Sequence, residues 1–140
     1  MALRLRRDAK VTLISKVPLF AGLSKRELAR VASIADEIDL RSGKVLTREG
    51  EPGREFFILL DGSVEVTRKG KAVATHRGGA FFGEIALVCD VPRTATVTTI
   101  EPTRALVVTR RDFRALVKDT PEIALKVLEA VGERLPPDEA

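Results

Sequence analysis

The residue types best suited to chemistry lie in one stretch, residues 82–97, with the sequence Phe-Gly-Glu-Ile-Ala-Leu-Val-Cys-Asp-Val-Pro-Arg-Thr-Ala-Thr-Val. A short helix-compatible run begins at Glu84, and the unpaired N–H groups at a helix start favour an anion. Arg93 adds a planar guanidinium whose geometry suits phosphate oxygens. Gly83 and Ala95 are small enough for backbone to approach a ligand closely. These features predict a phosphate-binding segment.

Glu84 indicates a second part of the ligand. A carboxylate beside a phosphate site is repulsive unless it meets a different chemical group. A vicinal sugar hydroxyl could donate a hydrogen bond to it. The stretch therefore predicts a phosphate site and a sugar-hydroxyl site a few residues apart, which implies a ribose phosphate. The alternative is a glycine-bounded loop with a solvated arginine and glutamate.

The same stretch resembles the phosphate-binding cassette of cyclic nucleotide-binding domains, whose pattern is roughly F-G-E-(I/L/M)-A-L, a few residues, then P-R-(S/T/A)-A-x-V. Every position of that pattern is filled here. The resemblance implies that the ligand is cAMP or cGMP, bound as a ligand and not as a cofactor. It also implies a set of ligand-binding residues within the cassette: Phe82, Gly83, Glu84, Ile85, Ala86, Leu87, Arg93, Thr94, Ala95 and Val97.

Two residues bear on the base of the ligand through the resemblance. Similar domains that accept cGMP often carry threonine at the position of Thr94, so both ligands are expected to bind, with cAMP slightly favoured. Arg134 falls where similar channel domains have an arginine that covers the purine. The alternative for Arg134 is a solvated arginine at a helix end, where the helix dipole favours a cation.

Composition limits the other functional classes. The chain has 140 residues, of which 44% are apolar and 31% charged, as expected for one globular domain. The net charge of +4 is spread along the chain and does not by itself indicate nucleic acid. One histidine and one cysteine cannot supply the clustered soft ligands of a typical structural zinc site, and no Ser-His-Asp or Cys-His set is present. We therefore expect no metal, no catalytic residues and no enzymatic activity.

The lengths and residue types of the segments bear on the location and partners of the protein. The longest apolar run, Phe56–Leu60, is far too short to span a membrane. We expect a cytoplasmic protein, or the cytosolic domain of a membrane protein, without direct membrane insertion. Too few residues follow the last predicted helix for a DNA-binding motif, and stacking aromatics are scarce. Nucleic acid is therefore not an expected partner, and an output domain or partner protein is expected outside this chain.

The elements that must position the cassette follow from apolar spacing and turn residues. Helices are predicted over 2–17 and 25–35, the second opened by a capping box between Ser24 and Glu27. Short β-branched and apolar runs separated by glycine predict strands at 37–40, 45–47, 56–60, 63–68, 71–76, 96–100 and 103–109.

Turn and cap residues complete this prediction. Asp61-Gly62 predicts a hairpin that joins the third and fourth strands, because this dipeptide tolerates positive φ. Two helices end the chain, one carrying Phe113 and Leu116 and one beginning at Pro121.

This order of elements predicts an α+β fold: an antiparallel, jelly-roll-like β-roll with an embedded phosphate-binding cassette, flanked by N-terminal and C-terminal helices. One domain over 1–140 would contain a helical segment 1–35, the β-roll with cassette 36–109 and C-terminal helices 110–135. The chain resembles most the cytosolic regulatory domains of prokaryotic cyclic nucleotide-gated potassium channels. That likeness implies a sensor module whose C-terminal helices respond to ligand. The alternative is a degenerate, ligand-free domain that acts as a protein-interaction module.

Overall fold

The computed structural model describes residues 5–133, which fall into two compact units. One unit contains the residues up to Ile34 and those from Asp112 onward, and the other contains Ala35–Arg111. The single domain over 1–140 stays a prediction.

The described part of the first unit is helical. Its elements are α1 (Arg7–Ser15), a 3-10 turn (Pro18–Phe20), α2 (Lys25–Ser33), α3 (Arg110–Asp119, whose first two residues belong to the other unit) and α4 (Pro121–Glu133). The predicted helices are present, with α1 ending at Ser15 and α2 at Ser33, each two residues before its predicted end.

The capping box predicted at the start of α2 is present. The Ser24 hydroxyl accepts a hydrogen bond from the Glu27 N–H at 3.2 Å, and the Ser24 N–H donates to Glu27 Oε1 at 2.8 Å. Two N–H groups that the helix itself leaves without partners are thereby satisfied. This local pairing explains why α2 begins at Lys25.

Contacts distant in sequence join the helices of this unit. The rings of Phe20 and Phe113 lie with their centroids 6.1 Å apart. Lys126 Nζ on α4 donates to Glu27 Oε1 at 2.7 Å. This hydrogen bond, followed by the one from the Ser24 N–H, lowers the pKa of Glu27. Glu27 therefore serves both the start of α2 and the packing of α4.

The second unit, Ala35–Arg111, is described throughout and consists of eight strands in two antiparallel sheets. The strands are β1 (Asp36–Leu40), β2 (Val45–Thr47), β3 (Glu55–Asp61), β4 (Ser63–Arg68), β5 (Lys71–Arg77), β6 (Phe81–Phe82), β7 (Thr96–Thr99) and β8 (Thr103–Thr109). The sheet orders are β1-β8-β3-β6 and β2-β7-β4-β5. With the cassette between β6 and β7, this confirms the predicted fold class.

The predicted hairpin at Asp61-Gly62 is wrong. β3 pairs with β8 and β6, whereas β4 pairs with β5 and β7, so this turn carries the chain from one sheet to the other. Gly62 has a φ of +97°, and a Cβ on it would lie 2.7 Å from the Pro102 carbonyl oxygen. The hairpin lies instead between β4 and β5, where Lys69 and Gly70 have φ of +51° and +77°.

The inner faces of both sheets meet in one apolar cluster. Its buried members are Leu59, Val64, Val66, Ala95, Val97 and Ala105. At its edge the rings of Phe57 and Phe82 stack with centroids 5.2 Å apart, across the pairing of β3 with β6. The residue that opens the cassette is therefore held against a central strand.

Glu27 gives the first testable prediction. Because its pKa is lowered in the folded protein, the ionised carboxylate stabilises the fold above its unfolded pKa, and that stabilisation is lost as pH falls through the folded pKa. Glu27→Gln can keep the capping hydrogen bonds while removing the charge. We expect it to lower the unfolding free energy near neutral pH, with the difference from the native protein shrinking in acid.

Urea unfolding at neutral and acidic pH measures this difference. Lys126→Met, which removes the principal cause of the pKa shift, should show the same loss and the same convergence with the native protein in acid. A difference that stays constant across this pH range would contradict the role of the ionised carboxylate.

Candidate ligand-binding site

Between β6 and the rest of the cassette the chain turns at Gly83, in a backbone conformation that favours glycine. Gly83 has a φ of +86°, and a 3-10 helix over Glu84–Leu87 follows. A left-handed φ strains any residue that has a Cβ. A Cβ on Gly83 would also lie 2.6 Å from Arg93 Nη1 and 2.9 Å from the Glu55 carbonyl oxygen. Both the conformation and the space at this turn therefore require glycine.

The Arg93 side chain is enclosed between two glycines. Its Nη2 donates to the Glu55 carbonyl oxygen at 2.7 Å and lies 3.6 Å from Glu55 Oε1. Gly53 is so close that a Cβ on it would overlap the guanidinium, and Gly83 approaches Nη1 from the cassette. Only 9% of the Arg93 side chain is exposed. The guanidinium is therefore held in a slot built by β3, the loop before it and the cassette.

The backbone of Arg93 is fixed by the same loop. The Arg93 N–H donates to the Glu51 carbonyl oxygen at 2.8 Å, and its carbonyl accepts from the Gly50 N–H at 2.8 Å. Pro52 and Pro92 form an adjoining bridge. Residues 50–53 therefore determine where the cassette places its arginine.

Burial is the main influence on the pKa of Arg93. Desolvation lowers the pKa of its guanidinium, the carboxylate of Glu55 acts in the opposite direction, and the positive charge of Arg110 adds to the lowering. Arginine nevertheless keeps its proton at ordinary pH. The slot therefore holds a cation with little access to water, and an anion beside it would offset part of the desolvation.

A cavity of about 370 Å³ lies against the cassette, within the size range of small-molecule sites. Nine of the residues predicted from the sequence border it: Phe82, Gly83, Glu84, Ile85, Ala86, Arg93, Thr94, Ala95 and Val97. Glu84 borders it while only 9% exposed. Glu84 and Arg93 therefore border a common cavity whose wall is largely apolar.

Of the predicted site residues that the structure describes, Leu87 does not border this cavity. Leu87 is 1% exposed and buried in the unit, because the 3-10 helix turns it away from the cavity. Arg134 lies outside the described residues.

Other residues of the cavity wall were not predicted. Thr47, Val66, Arg68, His76, Val91 and Pro92 also border it. Thr47 on β2 donates its hydroxyl proton to the Ala95 carbonyl oxygen at 2.9 Å, which ties the end of the cassette to the sheet. Alternation along β4 could have indicated Val66 and Arg68, since both fall on the inward-facing side.

Arg110 is the buried residue that sequence reasoning missed. It is 7% exposed and stands at the first position of α3. Its Nε donates to the Ala86 carbonyl oxygen at 2.6 Å, and its Nη2 donates to the Cys89 and Gly53 carbonyl oxygens at 2.7 and 3.0 Å. A cation is disfavoured at a helix start. That unfavourable placement is the one feature of the sequence that could have indicated a role for Arg110 outside α3.

Residues 5–133 contain neither a metal-ligand cluster nor a membrane-spanning helix. Within this part of the chain, no group of three His, Cys, Asp or Glu residues could hold a metal ion. None of the helices described is both long and apolar enough to cross a membrane.

Comparison with known proteins identifies a family. The chain matches the family described as "Cyclic nucleotide-binding domain" over residues 37–120. It is similar to the cyclic nucleotide-gated potassium channel of Mesorhizobium japonicum, with 36% identity over 112 residues that cover 80% of this chain and 31% of the channel. It is also similar to the cAMP-dependent protein kinase regulatory subunit of Dictyostelium discoideum, with 30% identity, covering 87% of this chain and 40% of that subunit. The chain thus spans less than half the length of either relative.

A solved structure shares the fold. It is the N-terminal domain of a transcriptional regulator from Streptomyces coelicolor A3(2), which superposes with a TM-score of 0.78 at 28% identity. The match covers 87% of this chain and 91% of that one. The likeness extends well beyond the cassette.

The close approach of Gly53 to Arg93 gives the second prediction. Gly53→Ala should force the guanidinium away from the Glu55 carbonyl, and losing a charged hydrogen bond costs about 1.5–3 kcal/mol. We expect urea unfolding to show a destabilisation of this size. In an Arg93→Ala background most of the effect should disappear, because the overlapping group is gone.

Gly22→Ala is the matched control, since a Cβ there meets nothing within 4 Å. It should leave stability unchanged or raise it by about 0.4–1 kcal/mol. If Gly53→Ala lowers the unfolding free energy equally with and without the Arg93 side chain, Gly53 does not enclose the guanidinium.

Proposed function

Because the chain belongs to the cyclic nucleotide-binding domain family, we propose that the cavity beside the cassette binds a cyclic nucleotide, cAMP and also cGMP, with cAMP slightly favoured. The observation that carries this proposal is the enclosed Arg93 guanidinium, which borders the same cavity as the buried Glu84. The family is defined by ligand binding, so the chain is a binding domain and not an enzyme.

Arg93 binds the cyclic phosphate in this proposal. Its fork matches two oxygens of a phosphate, and a hydrogen bond between charged groups is stronger than one between neutral groups. The glycines at 53 and 83 support this role, because their lack of side chains leaves the space that the enclosed guanidinium occupies. The phosphate would replace part of the solvation that burial removes from the arginine.

Glu84 binds the ribose. As the first residue of the 3-10 helix it enters the cavity next to the turn at Gly83. A carboxylate beside a phosphate is repelled unless it meets a different chemical group, and the ribose 2′-hydroxyl can donate a hydrogen bond to it. The base then occupies the apolar part of the cavity, near Val66 and Val97, with Thr94 available to a guanine amino group.

The module passes the signal on through its C-terminal helices. α4 leaves Leu125 and Leu128 exposed by 62% and 67%, while Ile123 and Val127 are buried. Exposed apolar residues one helical turn apart would gain most from a new contact when ligand binds. This surface supports a helix that changes its surroundings on ligand binding.

The regulated output lies outside the residues described. The similar channel and kinase regulatory subunit are named for a cyclic nucleotide and for cAMP respectively, and both are much longer than the matched segment. We propose that this domain likewise controls an attached output domain or a partner protein at the cytosolic side, and not nucleic acid.

Calorimetric titration with cAMP, cGMP and 5′-AMP tests the function and the role of Arg93 together. Since a hydrogen bond to a charged group contributes about 1.5–3 kcal/mol, Arg93→Ala should weaken cAMP binding by about one to two orders of magnitude. Arg93→Lys should also bind weakly because an ammonium lacks the fork. Arg114→Ala, an exposed arginine of α3, is the control and should bind as the native protein does. Normal affinity in Arg93→Ala would remove the proposed site.

The role of Glu84 predicts a dependence on the ribose hydroxyl. The native protein should bind 2′-deoxy-cAMP more weakly than cAMP, by about three- to tenfold, as expected for one hydrogen bond. In Glu84→Ala this preference should largely vanish, because the acceptor is absent. Competition titrations of both ligands against both proteins measure the preference, and equal affinities in the native protein would assign Glu84 another role.

A further inference from the structure

Arg110, the first residue of α3, makes several hydrogen bonds to the cassette and to the loop before β3. Its side chain donates to three backbone carbonyls, those of Ala86, Cys89 and Gly53, and its Nη1 lies 3.3 Å from Asp90 Oδ1. Its own N–H donates to the Arg54 carbonyl oxygen at 2.8 Å. All of these partners lie in the second unit.

These partners come from two segments that build the site. Ala86 and Cys89 stand at the end of the 3-10 helix that carries Glu84, and their carbonyls are of the kind that a short helix leaves without partners. Gly53 is the residue that faces the Arg93 guanidinium. One planar fork therefore joins the cassette to the wall of the slot that holds Arg93.

The distances between these residues in the sequence show that the connection is not local. Arg110 lies 24 residues from Ala86 and 57 residues from Gly53. The Arg110 side chain is 9% exposed, so a neutral or differently shaped side chain would leave buried carbonyls without donors, which is costly. An ammonium has no fixed fork and cannot reach both segments in the same geometry.

Resting on the proposed function, we infer that Arg110 is a positioning residue for phosphate recognition: it fixes Gly53 relative to the 3-10 helix and thereby sets the orientation of the Arg93 guanidinium towards the phosphate. Its positive charge is also close enough to lower the pKa of Arg93. Arg110 itself does not border the cavity, so it acts on the phosphate through the orientation of Arg93.

Phosphorothioate analogues of cAMP test orientation separately from general stability. Replacing one or the other exocyclic phosphate oxygen by sulfur gives two diastereomers, and the ratio of their dissociation constants reports how the guanidinium meets the two oxygens. In Arg110→Lys we expect about tenfold weaker cAMP binding and a diastereomer ratio moved towards one. Arg111→Lys, the exposed neighbour with the same change, should keep the native affinity and ratio.

Asp90→Ala is a second test variant, which is needed if Arg110→Lys does not fold. Asp90 is 79% exposed and anchors Arg110 from the cassette side, so this variant should fold and move the ratio in the same direction by about twofold. An affinity loss with an unchanged ratio in Arg110→Lys would overturn the inference and leave Arg110 a structural residue. Should Arg110→Lys fail to fold, an unchanged ratio in Asp90→Ala would overturn it. If the native protein bound no cyclic nucleotide, the proposed function itself would fall, and the inference with it.

Discussion

The burial of one guanidinium, that of Arg93, organises the cassette and the loop before β3. A cation withdrawn from water is unstable unless acceptors and space are provided for it. Here the Glu55 carbonyl provides an acceptor, and glycines at 53 and 83 provide the space. The turn into the cassette, the loop before β3 and the bridge between Pro52 and Pro92 are all consequences of enclosing Arg93.

A second buried arginine joins the segments of this arrangement. Arg110 satisfies carbonyls of both the cassette and the loop that faces Arg93. Two cations in one small region repel each other, and the fold tolerates this because each has its own acceptors. The same repulsion makes the region attractive to an anion, which is how a structural arrangement can also serve recognition.

The two units differ in how much of their structure is decided locally. In the helical unit, the capping box at Ser24 and Glu27 is a contact between residues adjacent on one helix turn, so the sequence pattern predicts it directly. In the β unit the pattern predicts strands but not their partners. Asp61-Gly62 shows the difference, because the dipeptide permits a turn whether the next strand pairs with its neighbour or joins another sheet.

The sequence by itself determined the cassette, the fold class and the family, because the residues that mark them are contiguous or follow a local period. Phe82 to Val97 can be interpreted without knowing what lies beside them. Only the tertiary structure decided that Gly53 faces Arg93, that Thr47 holds the Ala95 carbonyl and that Arg110 joins both segments. These contacts connect residues 24 to 57 positions apart. Such contacts follow from how the two sheets close on each other, and a residue's own type and neighbours do not specify them.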